Sequence, residues 1–139
     1  MIGGSLIKAV KAHFPEARLT AWARRDEVIL LLRDTEALGN RATGDISKAV
    51  EGADLIVLAM PTGAMADVIE QLDDFSVGSD VLVTDVGSVK GPVESKVGNL
   101  VRKKGANFIG SHPMAGSEKT GLKFADGELV TKIFCDLAW

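Results

Sequence analysis

Asp54-Leu55-Ile56-Val57-Leu58-Ala59, closed by Met60-Pro61, is the stretch that decides the fold. It is a continuous apolar run of strand length without alternation, the pattern of a strand covered on both faces, as in parallel sheets. Val81-Leu82-Val83-Thr84 has the same character and ends at Asp85-Val86-Gly87-Ser88. Asn107-Phe108-Ile109-Gly110 is a last short strand, leading into a loop, Ser111-His112-Pro113-Met114-Ala115-Gly116-Ser117-Glu118. Helical segments stand between these runs. Gly63 to Leu72 carries Met65, Val68, Ile69 and Leu72 on one face. Pro92 suits a helix first turn, and Val93, Val97, Leu100 and Val101 follow at helical spacing before Lys103-Lys104-Gly105.

The alternation extends to the N-terminus. Gly3-Gly4-Ser5 leads into a stripe of Leu6, Ile7, Val10 and Phe14, a helix to about His13 that Pro15 ends. Ala17 to Trp22 reads as extended. Asp26 can cap a second helix through Val28, Ile29, Leu32 and Leu38, stopped at Gly39-Asn40, and a short helix from Ile46 to Glu51 ends at Gly52. Strands alternating with helices make βαβ units and a parallel sheet. The expected class is α/β, a Rossmann-like doubly wound sheet.

Composition bounds what such a sheet can serve. The chain has 139 residues, 46% hydrophobic, with 16 Lys+Arg against 19 Asp+Glu and a net charge of −3. That length suits one domain with a real core, and the mild acidic balance gives no footprint for nucleic acid. A lone cysteine, Cys135, excludes an internal disulfide framework and a cysteine-rich zinc site. No apolar run approaches the ~18 residues of a membrane span, and Met1-Ile2-Gly3-Gly4 begins no signal peptide. A cytoplasmic location and no membrane partner are expected.

Glycine, at 15 of 139 residues, is in excess and clusters with hydroxyl residues at strand ends, where doubly wound sheets bind ligands. Gly3 and Gly4 open a helix, and free amides at a helix start form a natural phosphate site; a frayed Gly-rich terminus is the bland reading. At the end of the second extended run, where dinucleotide folds read the adenine ribose, stands Trp22-Ala23-Arg24-Arg25-Asp26. Two guanidinium groups suit the 2′-phosphate of NADP, Asp26 keeps NAD open, and a solvated basic pair is the plain alternative. His13 suits a dipole role in a last helical turn. His112, between Ser111 and Pro113 in a glycine-flanked loop, can accept a hydroxyl proton as a neutral imidazole. It has no ligand cluster at metal spacing, and there is no Gly-x-Ser-x-Gly elbow.

Ile2-Gly3-Gly4-Ser5, Ala53-Asp54-Leu55-Ile56-Val57-Leu58-Ala59-Met60-Pro61, Thr84-Asp85-Val86-Gly87-Ser88-Val89-Lys90 and Gly110-Ser111-His112-Pro113-Met114-Ala115-Gly116-Ser117-Glu118 together resemble the prephenate/arogenate dehydrogenase family, in its order and spacing, from Met1 to about Leu129. The resemblance implies an NAD(P)-dependent oxidoreductase of tyrosine biosynthesis that oxidatively decarboxylates a cyclohexadienol, prephenate or arogenate. It implies that His112 accepts a hydrogen bond from the ring hydroxyl, that Ser88 contacts the same region and orients the imidazole, and that Glu118, with Ser117, belongs to a gating loop. Gly3, Gly4, Ser5, Arg24, Arg25, Ala59, Met60, Pro61, Val86 and Gly87 are the expected cofactor-binding residues, with NADP favoured and NAD possible. Lys90 is read as capping or solvating the following helix.

The resemblance further implies a strand and a Gly-x-Gly ahead of Ile2, and a C-terminal helical domain that dimerises; relatives of full length are expected to be homodimers. Residues 1–129 are then a partial NAD(P)-binding Rossmann domain lacking its first, central strand, and 130–139 a tail outside the pattern. Without that strand, the runs at Ala17–Trp22 and Asp54–Ala59 face a gap. Two alternatives stand beside the dehydrogenase: a non-catalytic fragment retaining at most weak dinucleotide binding, and a β-hydroxyacid-type reductase, which needs a lysine in a later helical domain and leaves His112-Pro113-Met114 unexplained.

Overall fold

The apolar run at 54–59 forms strand β3, Leu55–Leu58, of a parallel sheet. The computed structural model describes residues 2–35, 41–75, 80–113, 124–128 and 135–138. The chain divides into two units, Met1–Glu51 with Ala115–Ile133, and Gly52–Met114 with Phe134–Trp139.

In the first unit, α1 (Ile2–His13) is followed by β1 (Ala21–Trp22), α2 (Asp26–Arg33), β2 (Ala42–Thr43) and α3 (Ile46–Val50). β1 and β2 pair in parallel, Ala21 opposite Ala42. Ile29 and Leu32 of α2 are buried with Ala42, and Ile7, Leu19, Ala21, Ala23 and Val28 pack around them. Two expectations change here. The apolar stripe of α1 is not its buried face: Phe14 is 66% exposed, while Gly4, Ser5 and Ala9 are buried. The small residues admit the 124–128 segment, as Lys8 Nζ donates to the Ala125 carbonyl at 2.8 Å and Ser5 Oγ accepts from Asp126 N–H at 2.9 Å. The cap of α2 is Arg25 rather than Asp26, with no side-chain cap bond; Asp26 and Glu27 instead place negative charge in the first turn, which the helix dipole favours. Leu38, Gly39 and Asn40 lie outside the described residues.

The second unit holds β3, α4 (Thr62–Glu70), β4 (Leu82–Asp85), a helical run over 90–103, β5 (Asn107–Pro113) and β6 (Cys135–Ala138). The sheet order is β3-β4-β5-β6, with the first three parallel and β6 antiparallel to β5. The run at 90–103 is α5 (Lys90–Val93), one π turn (Glu94–Gly98) and α6 (Asn99–Lys103). It packs against α4 and β5. Met65, Ile69, Val83, Val97 and Val101 are fully buried in this unit. Gly105, at φ 93°, takes the left-handed conformation just past α6 that glycine adopts without strain.

Three departures mark the sheet. Leu55 is 54% and Val57 36% exposed, so the run at 54–59 is not covered on both faces; β3 is the edge strand and Ile56 and Leu58 point the other way. β5 does not end at Gly110 but runs through Ser111 and His112 to Pro113, because β6 pairs along it: His112 stands opposite Asp136 and Pro113 opposite Cys135. Part of the expected tail is therefore a strand. The described strands form two sheets, β1-β2 and β3 to β6.

Candidate active site at the carboxyl ends of the strands

Register brings the motifs of the second unit to one end. Leu58 stands opposite Asp85, and Asp85 opposite Gly110, so the three parallel strands finish level. Ala59-Met60-Pro61, Val86-Gly87-Ser88 and Ser111-His112 all lie just beyond that line. Val86 N–H donates to the Leu58 carbonyl at 3.3 Å, carrying the pairing one residue further. Pro61 is the N-cap residue of α4, and its carbonyl accepts from Ala64 N–H at 2.9 Å.

A polar network ties these ends together. The Asp85 carboxylate, 0% exposed, accepts from Gly87 N–H at 2.8 Å, from the Lys90 ammonium at 2.6 Å and from Ser111 N–H at 3.3 Å. Lys90 Nζ also donates to the Ser111 carbonyl at 2.6 Å. The Ser111 hydroxyl donates to the Asp85 carbonyl at 2.5 Å and accepts from Thr84 Oγ1 at 3.1 Å. A buried carboxylate is tolerated when its lone pairs meet donors and an opposite charge, and both conditions hold here.

Asp85 and Lys90 are the residues that sequence reasoning passed over. Lys90 does not cap or solvate the helix; it is the counter-charge of a buried acid. The available signal was an acid at the last position of an apolar strand, with a lysine five residues on across a glycine turn. Gly87 is required by close approach: a Cβ there would stand 2.5 Å from Thr62 Cγ2 and 3.0 Å from Asp85 Oδ2.

His112 is half-buried on β5, and Ser88 is exposed in the turn after β4. Neither side chain makes a hydrogen bond among the described residues. Glu118 and Ser117 lie outside the described residues. In the first unit, Gly3 and Gly4 occupy the first turn of α1, where backbone N–H groups have no partner within the helix. The Ser5 hydroxyl is engaged by Asp126. Arg24 and Arg25 are exposed just past β1, and neither guanidinium forms an ion pair among the described residues. Trp22 Nε1 donates to the Gly44 carbonyl at 3.0 Å, holding the end of β1 to the residue after β2. His13 Nδ1 lies 2.9 Å from the Ala9 carbonyl in the last turn of α1, the structural place expected of it. No described helix is long and apolar enough to cross a membrane.

Parallel strands with helical crossovers, and glycine-rich turns gathered at the carboxyl ends, define a Rossmann-like domain of the nucleotide-binding class. Residues 6–135 match the family model for the prephenate dehydrogenase nucleotide-binding domain, and the chain belongs to that family. It is similar to prephenate dehydrogenase of Lactococcus lactis, 30% identical over 126 residues, which are 91% of this chain and 35% of that protein. Prephenate dehydrogenase of Bacillus subtilis is 31% identical over 134 residues, 96% of this chain and 36% of that protein. Among solved structures, prephenate dehydrogenase of Aquifex aeolicus, in complex with hydroxyphenyl propionate and NAD+, matches with TM-score 0.81 at 26% identity, over 97% of this chain and 46% of that one. The chain thus spans a little over one third of the length of the curated relatives it matches.

Proposed function

We propose that the chain is the cofactor-holding part of a dehydrogenase that oxidatively decarboxylates prephenate or arogenate on the way to tyrosine, with NADP+ as the hydride acceptor. The observation that carries this reading is the placement of His112. It lies two residues past the Asp85–Gly110 register pair, at the same end of the sheet as the turn that bears Ser88, in a chain of the prephenate dehydrogenase family.

The residues present fit a dinucleotide. In the first unit, the bare first turn of α1 at Gly3 and Gly4 suits a pyrophosphate. The exposed Arg24 and Arg25 suit a 2′-phosphate, since guanidinium forks match phosphate oxygens. In the second unit, Ala59, Met60, Pro61, Val86 and Gly87 stand in the turns at the ends of β3 and β4, where a nicotinamide would lie. When bound, that ring supplies the hydride acceptor.

The work of the protein residues is then positioning and the transfer of one proton to His112 and back. His112 accepts the proton of the substrate's ring hydroxyl as hydride leaves the same carbon. It returns the proton to that oxygen when loss of carbon dioxide makes the ring aromatic. Ser88 contacts the same hydroxyl and helps orient the imidazole, and Ser117 and Glu118 belong to the loop that gates the site. Aromatisation supplies the driving force, so placing the donor carbon and polarising one hydroxyl suffice.

The test combines binding and turnover. NADPH and NADH are titrated into the chain by fluorescence, and prephenate and arogenate are assayed with each oxidised cofactor. His112→Asn should cost about 10²–10⁴-fold in kcat with NADPH affinity unchanged. Full kcat in that variant would overturn the assignment of His112, and failure to bind either dinucleotide would leave the non-catalytic reading.

A further inference from the structure

The residue that follows Ser111 in the chain is the proposed proton acceptor, and Ser111 itself is held at its N–H, its hydroxyl and its carbonyl. Asp85 Oδ1 accepts the Ser111 N–H, the Ser111 hydroxyl is locked to the Asp85 carbonyl, and Lys90 Nζ holds the Ser111 carbonyl at 2.6 Å. That carbonyl belongs to the peptide bond from which the His112 backbone departs. The same ammonium meets Asp85 Oδ2 at 2.6 Å, and Asp85 Oδ2 receives Gly87 N–H at 2.8 Å, one residue before Ser88. A single lysine head therefore links the strand that bears His112 to the turn that bears Ser88. Its side chain is 23% exposed, against 0% for its partner.

We infer that Lys90 is a positioning residue: it sets the backbone on which His112 stands relative to the Gly87-Ser88 turn, without touching the reacting atoms. The inference rests on the reading of His112 as proton acceptor. It deepens that reading by naming what fixes the imidazole. Three features support it. Two acceptors on different strands share one ammonium, which an ordinary solvated lysine at a helix start does not provide. Parallel strands bring the two ends level, so a link across them is short. Neither Ser88 nor the imidazole makes a hydrogen bond of its own among the described residues, so side-chain bonds between them do not hold the ring. Catalytic steps are sensitive to such supports, because a displacement near 1 Å at the reacting group costs about 10²-fold in rate.

The experiment follows the imidazole itself. The chain has two histidines, so His13→Gln leaves His112 as the one ring signal in a proton–carbon NMR spectrum. In that background Lys90→Met, Lys90→Arg and the pair Asp85→Asn with Lys90→Met are compared, each checked for folding by its amide spectrum. Lys90→Met should move the His112 ring resonances and broaden them, and Lys90→Arg, which keeps a cation able to donate to both oxygens, should restore them. Since Lys90→Met leaves a buried carboxylate without its counter-charge, the double variant keeps the test open if the single one unfolds. It removes charge and bridge together, and the His112 signal should remain displaced. An unmoved signal in either folded variant overturns the inference, as does a double variant whose signal returns to the wild-type position, which would make Lys90 a counter-charge only. Steady-state kinetics with prephenate and NADP+ give the second arm: kcat falls about 10–100-fold with KM nearly constant, and Lys90→Arg recovers it. A displaced signal with unchanged kcat also overturns the inference. Undiminished turnover in His112→Asn, or no turnover by the wild-type chain, counts against the proposed function instead, and the ring signal still reports on Lys90.

Discussion

Replacing Gly87 by alanine probes the packing beneath the turn after β4. The new Cβ would sit 2.5 Å from Thr62 Cγ2 and 3.0 Å from Asp85 Oδ2. Carbon atoms rest at about 3.5–4.0 Å, so the methyl group is about 1 Å too close. Thr62 cannot yield easily, because it is β-branched and begins α4 directly after Pro61. Overpacking of this kind costs about 1–3 kcal/mol. The φ of Gly87 is not in the left-handed region, so alanine loses nothing in backbone strain and recovers about 0.4–1 kcal/mol by restricting the unfolded chain. The net expectation is a loss of about 1–2 kcal/mol. With an m-value near 2 kcal/mol/M, the urea midpoint falls by about 0.5–1 M.

A second substitution isolates the cause. Thr62→Ser removes the offending Cγ2 and keeps the hydroxyl. In that background Gly87→Ala should cost at most about half as much, a coupling that a double-mutant cycle reads directly. An unchanged midpoint in Gly87→Ala, or the same loss with serine at 62, would refute the reasoning.

Asp45 gives a pH-dependent test. Its carboxylate caps α3 and is held below the usual 3.8, first by the Lys48 backbone N–H, against slight desolvation, with the Lys48 ammonium and Ser47 N–H adding to the effect. A depressed folded value means the cap's contribution is full above the ordinary aspartate range and is lost as pH falls through it. Protection of the Ser47 and Lys48 amides, measured against their intrinsic exchange rates, should therefore fall on acidification below about pH 4, while Asp45→Asn, still a good cap, should flatten that dependence. Gly98→Ala would place a Cβ 2.9 Å from Phe108 Cδ1 and 3.0 Å from an Arg102 guanidinium nitrogen, displacing Arg102 from Glu94 and from the Phe108 ring. A denaturant midpoint should show a loss of about 1–3 kcal/mol. Arg24→Ala with Arg25→Ala should weaken NADPH by about 10–100-fold, the worth of one charged hydrogen bond, and leave NADH nearly unaffected in the same titration.

The parallel architecture was legible because uninterrupted apolar strands announce themselves. The runs at 54–59 and 81–84 have no polar interruption, and the helices between them carry clear apolar stripes. What escaped prediction depends on partners distant in sequence. Nothing local extends Gly110 to Pro113 as a strand; pairing with 135–138 does so, and a proline and two polar residues read locally as a loop. Phe14 continues the apolar stripe of α1 but is exposed, because the helix buries its small-residue face against 124–128. Leu55 and Val57 read as core, yet an edge strand exposes one of its faces. In the candidate site, the glycines of the turns and His112 lie at the carboxyl ends of β3 to β5. The Asp85–Lys90 pair left no periodic trace, since an ion pair is defined by two side chains meeting in space.

The antiparallel strand β6 has one more consequence. A strand such as the one bearing His112, left at the rim of an open sheet, would offer its backbone amides and carbonyls to any passing extended peptide. With Cys135–Ala138 laid along Gly110–Pro113, that rim is occupied by the chain itself, and the outermost strand is only four residues long. An extended peptide arriving there finds only that short edge to pair with, which discourages self-assembly into fibrils.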